Sequence, residues 1–369
     1  MLRKVLAALA ALLLIAAAGF LIFAGSSGEA DHVSSLPEAP GAVSFMPTRM
    51  FDGVMYEARP SSSVETILLM GYDHMDEGEL IDSQEGFIQG GQSDFLLLLA
   101  IDHDNRTIRQ LQINRDTMTD VKFYSKFGAN YGTRRLQICL AHAYGDTQEL
   151  NNANAIWAVE NLLGIVGAND GAQVDWYVSM DITGIDRLND LLGGVPVPIE
   201  HDFSYYDPTM IQGTTMTLNG PQAQIYCRQR YFIGDQSNEN RMGRQRVYMR
   251  SALNVLRQRM AEDSGYAMHL LDGMGVIFDH SRQLDADFGF TIADQSGTPI
   301  TDTPTHYLMT NARLDGMAAL LMRVLDYEVM DVEYLPGEHR IGTSGYMEFI
   351  AEPDSGLMWV LDTLYRPVE

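Results

Sequence analysis

The chain has 369 residues, 46% of them hydrophobic, which is enough for one large folded domain or two ordinary ones. Its 49 acidic residues outnumber its 25 basic residues, so the formal net charge is −24. General binding to nucleic acid is disfavoured, because neutralising phosphates requires a broad basic surface. An anionic partner must therefore meet a local cluster of basic side chains.

The N-terminal segment has the properties of a membrane anchor. Residues 5–24 carry no charge, and a helix of that length spans the roughly 30 Å hydrocarbon core of a bilayer. Arg3 and Lys4 precede this run, so we expect residues 1–4 to be cytoplasmic and the body to be extracytoplasmic. A cleaved signal peptide is the alternative, but this run exceeds the roughly 7–15 apolar residues typical of one. Residues 25–60 are rich in Gly, Ser and Pro and are predicted to be a linker.

Three strands are predicted at the start of the folded body. "VETILLMGYD" (64–73) is an apolar run of strand length that ends at Asp73. After a loop rich in Gly and Gln, "SDFLLLLAID" (93–102) is a continuous apolar run, which is typical of a strand buried on both faces. The turn "DHDNR" leads into "TIRQLQINRD" (107–116), so the second and third strands are predicted to form a hairpin.

Helices and further strands alternate in the rest of the body. Apolar residues at helical spacing in "NNANAIWAVENLLG" predict a helix that Gly164 ends. In "LNGPQAQIYCR", Asn219 or Gly220 is expected to cap a helix whose first turn contains Pro221. Further elements are the strand "VDWYVSMDI", the helix "GIDRLNDLLGG", the edge strand "VPVPI" and a longer helix over 240–262. This alternation predicts an α/β sandwich.

The basic residues are concentrated in one window. Residues 226–250 contain six arginines and two acidic residues, in a chain that is otherwise strongly acidic. Arg241, Arg244 and Gln245 share one helical face, and Arg228 and Arg230 lie where the preceding helix should end. Arginine offers a rigid planar fork of donors that suits phosphate. An exposed basic helix is the simpler interpretation; the more specific one is a pocket for a phosphate or pyrophosphate.

Carboxylates at the ends of the predicted strands complement this cluster. Asp73 follows the first strand, Asp94 begins the second, and Arg115 and Asp116 close the third. Such side chains can converge on one edge of a sheet, where open α/β folds bind ligands. Hard carboxylate oxygens are suited to a divalent cation, so the sequence predicts a Mg²⁺–pyrophosphate site. Cys139 and Cys227, the two cysteines, both lie among apolar residues and are predicted to be buried free thiols, with a disulfide between them as the alternative.

Five motifs occur in order along the chain: "ILLMGYD", "GQSDFLLLLAIDHDNRTIRQLQINRDT", "DWYVSMDITGIDRLNDLLGGVPVPI", "LNGPQAQIYCRQR" and "NRMGRQR". Over roughly residues 64–262 the chain resembles the LytR–CpsA–Psr family of bacterial cell-envelope proteins. The resemblance implies a three-layer α/β/α sandwich with a central mixed sheet, preceded by a single transmembrane helix. It also implies transfer of a glycopolymer, such as teichoic acid or capsule, from a polyprenyl-pyrophosphate carrier to peptidoglycan, with Mg²⁺. The catalytic domain would cover 61–285, with 286–369 packed on the same domain.

The family's functional residues are carried over by motif. Its metal and catalytic aspartates match Asp73 and Asp94, and the arginine of its strand-end "RD" motif matches Arg115, a catalytic and pyrophosphate-binding residue. The other pyrophosphate-binding positions match Arg228, Arg230, Arg241 and Gln245. One position departs from the pattern: many members have Arg two residues before the second aspartate, where this chain has Gln92. A neutral amide there removes one positive charge from the phosphate site.

Two other functions use the same residues. A pyrophosphatase would replace the attacking sugar hydroxyl with water, and a non-catalytic surface module would bind anionic polymer without turnover. Asp94 is the preferred proton acceptor in the transfer reaction. The lipid tail of the donor would need an apolar channel, for which the leucines of "FLLLLAID" and the apolar face of the helix around 156–163 are candidates.

Overall fold

A computed structural model describes residues 46–73, 81–83, 86–88, 91–124, 130–145, 147–165, 172–182, 184–263, 266, 270, 273–278, 308–312, 320, 323–324, 327–343 and 345–368. The predicted cytoplasmic tail (1–4) and membrane anchor (5–24) lie outside these ranges, and no helix inside them is long and apolar enough to cross a membrane. The prediction of a linker over 25–60 is wrong from residue 48 onward. There the chain forms two paired strands, because polar turn residues separate short alternating runs of bulky side chains.

The strands are β1 (Thr48–Phe51), β2 (Val54–Ala58), β3 (Val64–Tyr72), β4 (Ile81–Ser83), β5 (Gly86–Ile88), β6 (Ser93–Asp102), β7 (Thr107–Ile113), β8 (Met118–Tyr124), β9 (Asn130–Gln137), β10 (Trp176–Asp181), β11 (Val195–Pro198), β12 (Thr215–Leu218), β13 (Val276–Phe278), β14 (Leu308–Thr310), β15 (Glu328–Tyr334), β16 (Gly337–Ile341), β17 (Met347–Ala351) and β18 (Tyr365–Pro367). The α-helices are α1 (Gln148–Leu162), α2 (Gly184–Leu191), α3 (Gly220–Arg228), α4 (Asn238–Glu262) and α5 (Ser355–Leu364), and a 3₁₀ helix covers Ile138–Ala143.

A seven-stranded mixed sheet forms the centre of the fold, in the order β13-β14-β10-β3-β6-β7-β15. The β6–β7 hairpin confirms the pairing expected from the sequence, and β3 runs antiparallel to β6 with Leu68 opposite Leu98. β10 lies parallel to β3 on the other side, and β15, from the C-terminal part of the chain, lies parallel to β7. The α/β fold with a mixed central sheet is therefore confirmed.

Helices cover both faces of this sheet, and strand alternation divides the apolar residues between them. Leu69, Leu97 and Leu99 point to one face, which α2, α3 and α4 cover. Leu68 and Leu98 point to the opposite face, which α1, α5 and the 3₁₀ helix cover. The sheet is thus the middle layer of three.

The helix boundaries follow local sequence signals. The Asn219 side chain accepts a hydrogen bond from the Gln222 backbone N–H, and the Asn219 backbone N–H donates to Gln222 Oε1, so Asn219 is the cap of α3. Ser237 caps α4 in the same way by accepting from Asn240, and this starts the helix at residue 238, two residues before the predicted start. Gly164 follows α1 with a φ of +68°, which supplies the left-handed turn that ends the helix.

The N- and C-terminal ends of the described chain meet in a separate three-stranded sheet, in the order β1-β2-β18. The β16–β17 hairpin contacts the loop that follows β7, where the Phe349 amide donates to the carbonyl oxygen of Asp116 at 2.8 Å. Gln137 links the same two regions by donating to Met347 O and to Asp116 Oδ1, at 2.6 and 3.2 Å. Residues beyond 286 therefore contribute to the sheet and support the loop that carries Arg115.

Candidate active site

Asp94 occupies a β-bulge at the start of β6. In the β3–β6 pairing Gly71 lies opposite Phe95 and Tyr72 lies opposite Ser93, so Asp94 is the extra residue. A bulge bends the strand and redirects one side chain, and bulges occur often beside active sites. Only 5% of Asp94 is exposed. The local backbone therefore places a carboxylate at the edge of the sheet, inside the protein.

Two arginines neutralise this buried carboxylate. Arg115, from the loop after β7, forms an ion pair with Asp94 Oδ1, and Arg241, from α4, donates to Asp94 Oδ2 at 2.6 Å. Burial, together with the positive charges of Arg115 and Arg230, lowers the pKa of Arg241 to about 10. Arg241 thus stays charged at neutral pH, and the cluster has a surplus positive charge to offer an anion.

Amide side chains hold the two arginines in place. Arg241 donates to Asn238 Oδ1 at 2.6 Å, and Asn238 donates to Asn114 Oδ1 at 3.0 Å. The Arg115 guanidinium donates to Gln92 Oε1 and lies 3.3 Å from the sulfur of Cys139. Gln92, where the sequence departs from the family pattern, therefore acts as an acceptor that orients Arg115.

Asp73 and Arg228 form the second charge pair of the site. Arg228 Nε lies 3.4 Å from Asp73 Oδ1, and the side chains are 39% and 26% exposed, so this pair is far more accessible than Asp94. The Asp73 amide donates to the Gln92 carbonyl at 2.9 Å, which ties the end of β3 to the loop before β6. A Cβ at Gly91 would collide with the Asp73 carbonyl oxygen, so only glycine permits this approach.

His142 contacts the loop that carries Gly91 and Gln92. Its Nδ1 lies 2.8 Å from the Gly91 carbonyl oxygen, and its ring stacks on Tyr72 with centroids 4.3 Å apart. Burial lowers the pKa of His142 to about 4, against hydrogen bonds to Gly91 and Asn152 that oppose the shift. The imidazole is neutral at pH 7, so Nδ1 carries a proton that it donates to Gly91.

The remaining predicted residues have different surroundings. Arg230 lies over the ring of Tyr231, with 5.1 Å between Cζ and the centroid, and donates to its hydroxyl at 3.3 Å. Gln245 is buried and donates to the Cys227 carbonyl at 3.2 Å. Arg244 donates to the carbonyl oxygens of Tyr226, at 2.9 Å, and of Gln229. Arg244 therefore stabilises the end of α3, although the helical spacing had grouped it with the anion-binding face.

Asp116 lies at the back of the cluster and is buried. Arg115 Nε lies 3.6 Å from its Oδ1. Burial raises the pKa of Asp116, and the nearby charges of Arg115 and Arg230 act in the opposite direction. Cys139 and Cys227 are both free and buried, as predicted, and burial raises the pKa of each thiol.

An apolar cavity opens beside the charged cluster. The cavity volume is about 100 Å³, within a wider opening to solvent. Its walls come from the sheet and from α2 and α4, through Leu69, Phe95, Val178, Ile185, Leu188, Tyr248 and Ala252, and its lining includes Asp94 and Gln245. The sequence had suggested the helix around 156–163 as a wall. Ile156 and Val159 instead pack on the opposite face of the sheet, so that suggestion is wrong.

Residues 48–264, more than half of the chain, match the LytR_cpsA_psr family. The chain belongs to this family. A curated relative is the polyisoprenyl-teichoic acid–peptidoglycan teichoic acid transferase TagU of Halalkalibacterium halodurans, 29% identical over 205 residues, which are 56% of this chain and 60% of TagU. The corresponding enzyme TagV of Bacillus subtilis is 29% identical over 48% of this chain and 41% of its own length. The regulatory protein MsrR of Staphylococcus aureus (strain COL) is 26% identical over 39% of this chain and 38% of its own length.

Solved structures support the fold. A protein from Streptococcus agalactiae superposes with a TM-score of 0.54 at 19% identity, over 82% of this chain and 87% of that one. A protein from Enterococcus faecalis, described as a transcriptional regulator, gives 0.51 at 18% identity over the same shares. At these identities the likeness concerns the arrangement of helices and strands, and the site rests on the side chains described above.

Sequence reasoning missed several contributors to the site. Asn114 and Asn238 connect the Arg115 loop to α4, and His142 holds the Gly91 loop. An asparagine just before the "RD" pair and another at the first position of α4 were the available signals. Asn114 and Asn238 are 124 residues apart in the chain, so local sequence patterns do not indicate that they are in contact.

Proposed function

We propose that this protein is a membrane-anchored, extracytoplasmic phosphotransferase. It moves a glycopolymer from a polyprenyl-pyrophosphate carrier to peptidoglycan. The observation that carries the proposal is the position of an apolar cavity directly beside an arginine cluster, with Asp94 in the lining of the cavity and bound to two arginines. A donor with a long apolar tail and a pyrophosphate head needs these two environments next to each other. The names of TagU and TagV support the same substrate class.

In this reaction a hydroxyl oxygen of the acceptor sugar attacks the phosphorus that bears the glycopolymer. The bond from that phosphorus to the bridging oxygen breaks, and polyprenyl phosphate leaves with the electron pair. Arg115, Arg228, Arg230 and Arg241 are the proposed anion-binding groups, and their charges would stabilise the negative charge that develops on the leaving phosphate. Gln245, the fifth proposed pyrophosphate-binding residue, lines the cavity.

A carboxylate must accept the proton of the attacking hydroxyl. Asp94 was favoured from the sequence, but the structure buries it and pairs each of its two carboxylate oxygens with an arginine, so it is poorly placed to meet a substrate hydroxyl. Asp73 is more exposed and has one arginine at 3.4 Å. We therefore assign proton acceptance to Asp73 and assign to Asp94 the task of orienting Arg115 and Arg241.

Mg²⁺ is the proposed cofactor, and the donor set fits it. Asp73 Oδ1 and Asp94 Oδ1 are both buried and accept no hydrogen bond within the described part of the chain, although an arginine faces each. The same part of the chain holds no cluster of three metal-binding side chains. Mg²⁺ commonly uses one or two carboxylates and completes its shell with water and substrate phosphates. When bound, it would neutralise phosphate charge.

The test uses the full chain in detergent, with a polyprenyl-pyrophosphoryl saccharide and peptidoglycan fragments. Transfer of saccharide phosphate is scored by mass, with and without Mg²⁺. We expect Asp73→Asn and Arg228→Ala each to reduce transfer by roughly 100-fold or more, because general bases and anion-stabilising donors contribute on that scale. Arg340→Ala is the matched control, since Arg340 is exposed on β16 and pairs with Glu348. It should leave transfer unchanged.

The other outcomes distinguish the remaining functions. Release of free saccharide phosphate without transfer would establish a pyrophosphatase. Tight binding without turnover, equal in the wild type and both variants, would establish a polymer-binding module and refute the proposed chemistry.

A further inference from the structure

Three aromatic side chains are exposed on one surface near the arginine cluster. Tyr205, Tyr231 and Phe232 are 67%, 57% and 62% exposed. The rings of Tyr205 and Phe232 have centroids 4.4 Å apart and are tilted by 34°, so they pack against each other as an exposed aromatic pair. Large apolar rings are normally buried, and an exposed group of them commonly marks a binding surface.

The backbone holds Phe232 in this exposed position. Its φ is +57°, a conformation that a bulky residue rarely adopts and that is concentrated at functional sites. The Phe232 amide donates to Gln236 Oε1 at 3.3 Å, and the next residue, Ile233, is fully buried and anchors the loop. The loop thus buries Ile233 and presents Phe232 outward.

This surface is continuous with the proposed pyrophosphate site. Phe232 lies two residues after Arg230 and four residues after Arg228, in the loop between α3 and α4. The guanidinium of Arg230 lies over the ring of Tyr231, while its charge also acts on Asp116 and Arg241. Arg230 therefore lies between the charged cluster and the aromatic surface.

Two acidic residues lie close in sequence to the paired rings. Asp202 and Asp235 are both exposed, and each lies three residues from one of the two paired rings. Carboxylates in these positions repel an anionic lipid surface, whereas they can accept hydrogen bonds from hydroxyl groups. A sugar ring combines an apolar C–H face, which stacks on aromatic rings, with hydroxyl groups around its edge.

We infer that Tyr205 and Phe232 form a stacking platform for the uncharged sugar ring that follows the pyrophosphate of the donor. The inference rests on the proposed function and adds to it a means of recognising the donor's glycan. In the proposed complex the arginines bind the pyrophosphate, and the sugar is attached directly to it. Tyr231 and Phe232 follow Arg230 in the chain, so the aromatic loop lies next to the position of that sugar.

The test compares two probes on the full chain in detergent by calorimetry: geranylgeranyl pyrophosphate, and the same lipid bearing N-acetylglucosamine on the pyrophosphate. Phe232→Leu keeps an apolar side chain at a position with positive φ but removes the flat ring, whereas Phe232→Tyr keeps the ring. We expect Phe232→Leu to weaken binding of the saccharide lipid roughly 5- to 10-fold, because aromatic stacking contributes on that scale. Binding of the sugar-free lipid should not change, and Phe232→Tyr should behave as wild type. Tyr346→Leu, an exposed position on the β16–β17 turn, is the remote control.

Equal weakening of both probes would overturn the inference, since the ring would then contact lipid or only position the arginines. No weakening of either probe would also overturn it. An effect confined to the KM for peptidoglycan fragments in the transfer assay would move the platform to the acceptor and refute the donor assignment. Failure of the wild type to bind the sugar-free lipid would instead refute the proposed function, and the inference with it.

Discussion

The two faces of the central sheet are built from the same strands and yet differ in packing. On the face covered by α1, α5 and the 3₁₀ helix, Leu68, Leu98 and Ile138 are fully buried and meet other buried side chains. On the face covered by α2 and α4, Leu69 and Val178 border an apolar cavity. Both faces carry a buried core, but only the face covered by α2 and α4 leaves this apolar cavity between the sheet and its helices.

This division follows from strand alternation. Neighbouring residues of β3 point to opposite faces, so Leu68 contributes to the packed core while Leu69 lines the cavity. A single strand thus supplies both structural support and binding surface. Asp73, the proposed proton acceptor, directly follows this strand, so its position depends on the packing of β3.

The first prediction concerns this pair of leucines. Leu68→Ala should lower the free energy of unfolding by about 3 kcal/mol or more, because it opens a hole in a closely packed core. Leu69→Ala should cost about half as much, since one side of Leu69 already borders empty space. Urea unfolding of both variants measures the difference. Equal losses would show that the cavity face is packed as tightly as the other.

The second prediction reverses the change by adding volume. Ala158 on α1 and Ala252 on α4 are both buried alanines on helices, but only Ala252 lines the cavity. Ala158→Phe should destabilise the fold by about 3 kcal/mol, because overpacking forces neighbours to move. Ala252→Phe should leave stability nearly unchanged and reduce the affinity for geranylgeranyl pyrophosphate at least 10-fold, by occupying the lipid's volume. Thermal unfolding and calorimetry test the two effects separately. Normal lipid affinity in Ala252→Phe would place the lipid elsewhere.

The third prediction concerns the pH dependence of stability that arises from the buried His142. Its pKa is lowered from 6.5 to about 4 in the folded protein, so below pH 6.5 the unfolded chain binds a proton that the folded chain does not. Stability is therefore greatest above pH 6.5 and falls as the pH approaches 4. Between pH 7.5 and 5.5 the loss from this group should be about 1 kcal/mol.

The control for this prediction is His142→Gln, which keeps a donor for Gly91 and cannot titrate. The variant should be less stable at pH 7.5, but its stability should fall less between pH 7.5 and 5.5 than that of the wild type. Urea unfolding at the two values gives both slopes. Parallel slopes would mean that other groups dominate the acid response.

Much of the fold could be predicted because its signals are local. The apolar run of β6, the cap at Asn219 and the glycine after α1 each define an element from a few neighbouring residues. The candidate site residues Asp73, Asp94 and Arg115 were proposed because each lies beside the end of a predicted strand. The motif resemblance supplied the remaining proposed anion-binding positions.

What the sequence did not reveal depends on contacts between distant residues. "FLLLLAID" indicates burial on both faces of the sheet, but it does not indicate which face borders a cavity. The helix around 156–163 was therefore predicted to line the cavity, although it packs on the opposite face. Helical spacing grouped Arg244 with Arg241, yet the carbonyl groups at the end of α3 bind Arg244. The ion pairs of Asp94 likewise involve arginines that are 21 and 147 residues away in the chain.

The positions of β14, β15 and β18 have a consequence for how the protein is produced and divided. The family match ends at residue 264, but β14 lies beside β10, β15 beside β7 and β18 beside β2. A fragment cut at 264 would leave both sides of its remaining sheet with unpaired backbone groups, which are prone to associate with other chains. The segment by which the family is recognised is thus smaller than the unit that folds, and an expression boundary chosen from the match alone would yield aggregates.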